Sequence, residues 1–247
     1  RADPAPLRGG RIGRCPPIGG GGHLGGMQRI ARVVSHSLRP DLLALVALVV
    51  AARGAAGADP ATAREPRTVP AFHAVELAGT LAVEVTLGKP TAVEVVGEPA
   101  LLAQVTTTVR DGVLVIDTHG KLPRQHHLRA RVSAPDVDGL RLTGTGALAA
   151  HGISNPRLAV RVPGTGAVVL DGTTAALDLV LDGTGQVDAE RLAARVVTID
   201  VTGTGNAAVH ASEALDARVS GTGSIDVTGK PARVKRQVTG VGDIHVE

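Results

Sequence analysis

The tripeptide Gly-Thr-Gly returns five times in the second half of this chain. It stands at Gly144-Thr145-Gly146, Gly164-Thr165-Gly166, Gly183-Thr184-Gly185, Gly203-Thr204-Gly205 and Gly221-Thr222-Gly223, with an altered sixth copy at Gly240-Val241-Gly242. The first glycines are separated by 20, 19, 20, 18 and 19 residues. A fixed period near 19 marks a stacked repeat rather than six unrelated loops. One such unit cannot bury its own apolar face, so neighbouring units must share it.

The flanking residues say which kind of repeat this is. Count from the first glycine of each tripeptide. Position −4 holds Leu140, Val160, Leu179, Ile199, Ala217 and Arg236, and position −2 holds Leu142, Val162, Leu181, Val201, Val219 and Val238. Position +4 holds Leu148, Val168, Val187, Ala207, Ile225 and Ile244, and position +6 holds Ala150, Leu170, Ala189, Val209, Val227 and Val246. Of these 24 places only Arg236 is not apolar, and the residues between them are mostly polar. Alternation with period 2 on both sides of a turn predicts β-strands with one buried face. The glycines share the parity of the inward residues. A side chain there would enter a narrow corner, and glycine also tolerates a bend. The threonines point outward as a ladder. The expected fold is all-β: a right-handed β-helix, or solenoid, of about 19-residue coils over residues 138–247. Gly144, Gly146, Gly164, Gly166, Gly183, Gly185, Gly203, Gly205, Gly221, Gly223, Gly240 and Gly242 are its structural corners.

Residues 68–137 also read as strands, without a visible period. Leu81, Val83, Val85 and Leu87 alternate before a Gly88-Lys89-Pro90 turn, Val93 and Val95 follow, and Asp111-Gly112 signals a hairpin. Only Pro99 to Gln104 suggests a helical turn. Residues 59–67, with Pro60 and Pro66, read as a flexible linker.

The N-terminus has a different character. Residues 1–58 carry 8 Lys+Arg and 2 Asp+Glu, a net of +6; residues 59–247 carry 18 and 21, a net of −3. The only methionine is Met27. After it come Arg29, Arg32 and Arg39, an apolar run from Leu42 to Ala52, and Ala56-Gly57-Ala58. That order predicts a Sec-type signal peptide over residues 27–58 with cleavage before Asp59. Eleven apolar residues are too few to span a bilayer, which takes about 20. Residues 1–26 read as an extension outside the native protein. Export to the periplasm, the cell surface or beyond is the expected localisation.

A mildly acidic body removes the electrostatic case for nucleic-acid binding. Phe72 is the only aromatic residue, so stacking platforms for sugars or bases are missing. The single cysteine, Cys15, rules out a disulfide framework.

At this point the chain resembles the bacterial head GIN domain proteins, grouped as auto-transporter adhesins. The resemblance runs over residues 68–247. It is carried by Arg67-Thr68-Val69 through Phe72-His73-Ala74-Val75, by Val109 to Ile116, by Ala134-Pro135-Asp136-Val137-Asp138-Gly139-Leu140, by the Gly-x-Gly series and by the ending Gly240 to Val246. Members more often carry Gly-Ser-Gly, so threonine is a departure. The resemblance implies a secreted, β-helix-like envelope or surface protein with an adhesin-like role. It brings no catalytic residues.

Other chemistry is weaker. A dinucleotide loop needs a strand–turn–helix context and a third glycine, both missing. Asp188 and Asp226 hint at calcium-binding coils, but Ala149, Val169 and Ala208 hold that place elsewhere. His126-His127 shows no spaced third metal ligand. Asp182, Asp188, Asp200 and Asp226 would have to gather on one face to serve a polysaccharide-cleaving enzyme, the alternative function. The sequence therefore predicts no catalytic residue, no metal and no cofactor. Its expected partners are an envelope or surface ligand and a second copy, paired through the free strand edge of the C-terminal coil.

Overall fold

The computed structural model describes residues 62–247 except 121, 124 and 125. The signal-peptide and extension readings lie outside the described residues. Fifteen strands join one continuous sheet that winds into a solenoid. Its body is four long parallel strands: β9 (Ala147–Arg161), β10 (Ala167–Leu181), β11 (Gln186–Val201) and β12 (Asn206–Val219). Each bends midway, and each hands over to the next through a Gly-Thr-Gly corner. Six Gly-x-Gly corners enclose five turns.

Register explains the apolar pattern. Leu140 pairs Val160, Val160 pairs Leu179, Leu179 pairs Ile199, and Ile199 pairs Ala217. These residues are buried in one column. Leu148, Val168, Val187, Ala207 and Ile225 make a second column across the corner. Burying one Leu or Val contributes about 1.5–3 kcal/mol, so the columns are the main cohesive term.

The glycines serve the approach of one coil to the next. A Cβ on Gly164 would lie 2.2 Å from the Gly144 carbonyl oxygen; at Gly183, Gly203, Gly221 and Gly240 it would meet the preceding coil's glycine oxygen at 2.0 Å. The second glycines face the same obstacle at 2.0–3.0 Å for Gly166, Gly185, Gly205, Gly223 and Gly242. The anticipated crowding is therefore against backbone of the adjacent coil. The anticipated bend is not a reason: none of the twelve has positive φ. Close approach instead permits hydrogen bonds. The N–H groups of Thr165, Thr184, Thr204 and Thr222 donate to the carbonyls of Gly144, Gly164, Gly183 and Gly203 at 3.0–3.2 Å.

Coil length varies at the opposite bend. Leu170 pairs Ala150, but Gly172 pairs Ile153; Ala189 pairs Val209, but Ala193 pairs His210. Gly152 and Gly172 sit there at φ 74° and 127°, a region other residues rarely adopt. The corner keeps strict register while this bend absorbs the extra residues.

The region expected to be aperiodic contains two hidden coils. β2 (Ala74–Leu77) and β3 (Ala82–Leu87) pair in parallel with β8 (Gly139–Leu142) and β9. With Gly79 as position zero, Val75, Leu77, Val83 and Val85 occupy −4, −2, +4 and +6, all buried. Gly79-Thr80-Leu81 is thus a seventh corner, with Leu81 in place of the second glycine. The excursion of residues 88–138 conceals its period. Within that excursion β6 (Val113–Thr118) and β7 (Arg129–Ala134) add another coil on the far side of β2 and β3.

Antiparallel strands close that end. β5 (Val105–Arg110) returns on β6 through Asp111-Gly112, whose φ values of 51° and 77° make the tight hairpin turn. β4 (Ala92–Gly97) pairs β7, and the single-turn helix α1 (Pro99–Leu102) links β4 to β5. The expected linker is partly ordered: Ala63–Arg67 forms β1, antiparallel to β4. Pro66 is tolerated because β1 is an edge strand.

At the other end lie β13 (Ser224–Thr228), β14 (Arg233–Val238) and β15 (Asp243–Val246). β13 pairs β12 and β15; among the described residues β14 pairs only β12.

Candidate functional site

Because inward residues are committed to the columns, recognition chemistry belongs to the outer faces. A concavity that carries polar groups from several coils lies across the second bend. It is a shallow groove of about 610 Å³. Ser154, Thr173, Ala193 and His210 form its floor as consecutive partners across β9 to β12. Ser154, Thr173 and Ala193 are small and leave the depression. Arg195 stands at its rim, bound to Glu213 through Nε at 2.6 Å and a terminal nitrogen at 3.2 Å. The pair holds the guanidinium above its ordinary value and the carboxylate below its own, the hydrogen bond being the larger cause in each case.

Under the groove a polar relay fixes the bend. Thr174, the one buried polar side chain among the described residues, donates to Asn155 Oδ1 at 2.9 Å, and Asn155 Nδ2 donates to the Val137 carbonyl at 2.8 Å. Beside it, His151 Nδ1 meets Asp171 Oδ2 at 2.5 Å, and the Gly152 N–H donates to Asp171 Oδ1 at 2.9 Å. Burial pushes the Asp171 carboxyl up. Hydrogen bonds from His151 and Gly152, with the charges of His151 and Arg191, outweigh it and hold the group below its ordinary value.

A third outer feature is His73, whose Nδ1 lies 2.9 Å from Asp138 Oδ1. The hydrogen bond and the charge of Asp138 raise the imidazole above its ordinary value against slight desolvation.

The residues singled out in sequence fall as follows. Thr145, Thr165, Thr184, Thr204 and Thr222 are all exposed beside the corners. Asp188 and Asp226 share one outer rank, two strands apart with Ala208 between them. Asp200 lies on the face before the corner, and Asp182 sits at a corner, accepting from Thr202 Oγ1 at 2.7 Å. The four aspartates are therefore not gathered on one face, and no carboxylate pair for sugar cleavage forms from them. His126 uses its ring Nδ1 on the Leu128 N–H at 3.4 Å. No group of three or more His, Cys, Asp or Glu placed to hold a metal occurs among the described residues. Phe72 packs against the core.

The groove escaped sequence reading. Its residues come from four coils whose lengths differ at that bend, so the corner-based count loses register there. The polar pairs Ser154-Asn155 and Thr173-Thr174, recurring at the same bend of two successive coils, were the available signal.

The structure's free edge is its most unusual surface. All six residues of β14 are exposed, against alternating burial in every coil before it. Val234 and Val238 are 44% and 43% exposed.

Residues 71–231 match the family model described as "Putative auto-transporter adhesin, head GIN domain". None of the curated protein sequences matches significantly. Among solved structures, a "putative adhesin" from Bacteroides fragilis is 24% identical, with a TM-score of 0.64, over 77% of this chain and all of its own. A second, from Parabacteroides merdae, is 18% identical with a TM-score of 0.47, over 76% of this chain and 97% of its own. The first likeness is one of fold.

Proposed function

Because this chain belongs to the head GIN domain family, we propose that it is a non-enzymatic binding module of the cell surface or envelope. The observation that carries this reading is the division of labour between faces. Inward columns repeat from coil to coil, while the outward places beside the corner change: Ala147, Ala167, Gln186, Asn206, Ser224 and Asp243 occupy one rank. A sheet-paired scaffold holds these side chains in fixed rows, which suits recognition by an extended surface. Their variation supplies specificity without altering the core.

Export by the segment 27–58 belongs to the same reading. Mass spectrometry of the secreted or envelope fraction should find a chain beginning at Asp59; retention of the whole leader in the cytoplasm would contradict it. Immobilised mature chain should retain cells or isolated envelope material, and substitutions in the groove, such as Thr173→Arg, should weaken retention. Robust cleavage of a polysaccharide by the purified chain would overturn the non-enzymatic assignment.

A further inference from the structure

The core column that runs through Val75, Leu140, Val160, Leu179, Ile199 and Ala217 ends on Arg236. Its flanking columns end on Val234, opposite Leu215, and Val238, opposite Val219. Both valines are nearly half exposed. β14 pairs β12 along one edge only, so its other edge presents unpaired backbone N–H and C=O groups among the described residues. Lys230, Arg233, Lys235 and Arg236 fall within residues 230–238, which hold no carboxylate. Lys235 is engaged by Asp216 at 3.4 Å, and among the described residues Arg236 reaches only the Ile244 carbonyl at 3.4 Å. Of the nearby acids, Asp243 accepts from its own neighbour's N–H and Glu247 contacts His245.

We propose that the free edge of β14 receives an extended acidic segment of another protein by strand addition. The segment carries Asp or Glu opposite Arg236 and an apolar residue two places to either side, against Val234 and Val238. This names a partner class for the binding role above and rests on that reading.

The chemistry selects this occupant. A strand laid on β14 buries Arg236, and a buried cation without a counter-charge is strongly unfavourable. An apolar strand is thereby rejected, while one carboxylate in register satisfies the guanidinium with paired hydrogen bonds. Main-chain bonds supply the remaining affinity, as in other strand-addition complexes. A second copy fits poorly. Two β14 strands would set Arg233, Lys235 and Arg236 against their own kind, and like charges directly opposite destabilise a sheet. At the opposite end the free edges among the described residues are β1, where Pro66 interrupts the edge and Glu65 is engaged by Arg67, and β5, which carries no carboxylate to meet Arg236.

The test is fluorescence anisotropy of the full chain with a labelled, end-blocked peptide Thr-Val-Thr-Glu-Thr-Val-Thr and its counterpart with lysine at the centre. The glutamate peptide should bind saturably, at least tenfold more tightly than the lysine peptide, and should slow hydrogen exchange along β14. Arg236→Glu should reverse the preference, and Arg236→Gln should abolish it; circular dichroism checks that each variant folds. Equal binding of both peptides, binding of neither, or an unreversed preference would overturn the proposal. So would concentration-dependent self-association lost in Arg236→Glu. If envelope retention persists while both peptides fail, this inference falls and the binding role stands; if retention fails while the peptide preference holds, the reverse is true.

Discussion

Substitution of Gly203 by alanine tests the reason for the repeated tripeptide. The added Cβ would lie 2.0 Å from the Gly183 carbonyl oxygen and 2.6 Å from that of Asp182. Both obstacles are backbone, and both belong to a coil held on its other side by the coil before it. The strands must separate at the corner. Overpacking of this kind costs about 1–3 kcal/mol. Separation also weakens the bonds from Thr204 N–H to Gly183 and from Gly203 N–H to Leu181, at 3.0 and 3.2 Å. Each is worth roughly 0.5–1.5 kcal/mol. Alanine returns about 0.4–1 kcal/mol through the unfolded chain, because Gly203 has no positive φ to obstruct it. The balance is a loss of roughly 2–5 kcal/mol, a large part of a typical stability of about 5–15 kcal/mol. Thermal and urea unfolding followed by circular dichroism should show it as a Tm fall of roughly 5–20 °C. Thr204→Ala, beside it and exposed, should stay within about 0.5 kcal/mol. If Gly203→Ala behaves like Thr204→Ala, the close-approach argument is refuted.

Other consequences follow from the same geometry. Leu81→Gly restores Gly-Thr-Gly to the first hidden corner, yet it should destabilise by roughly 2–5 kcal/mol in urea titration, since Leu81 is buried in the core. Thr174→Val should cost about 1–3 kcal/mol by the same measurement, because Asn155 Oδ1 then loses its donor. The His73–Asp138 pair should support stability fully below the imidazole's ordinary value of 6.5 and lose its effect as pH rises through the raised value. Asp171 has the opposite sign: its contribution should be present above the ordinary 3.8 and vanish as pH falls through the depressed value. Tm measured across pH, with His73→Gln and Asp171→Asn as controls, separates the two windows.

Particular residues show why some of the fold was legible and some was not. The corners declared themselves because close approach between coils demands glycine at two fixed places, and parity then assigned every flanking residue to a face. The first hidden coil obeyed the same apolar code at Val75, Leu77, Val83 and Val85. It was missed because Leu81 replaces a glycine and because the chain leaves the stack before β8 rejoins it. β1 was missed because Pro66 and a mixture of charges resemble a linker, whereas an edge strand accepts both. Arg236 stood out in sequence as the one charged residue in a core column. Only the sheet topology shows that it lies in β14, whose other edge is unpaired among the described residues. The groove at the second bend is set by long-range stacking, and no local motif encodes it.

Amide hydrogen exchange at the corners tests the central claim most directly. The N–H groups of Thr165, Thr184, Thr204 and Thr222 belong to exposed residues, yet each is bonded to the coil before it. The account predicts that all four exchange as slowly as the flanking strand amides and open only with them. Exchange at the rates of free loops, while the strands remain protected, would mean that Gly-Thr-Gly is a loop available to ligands and not the seam that joins the coils.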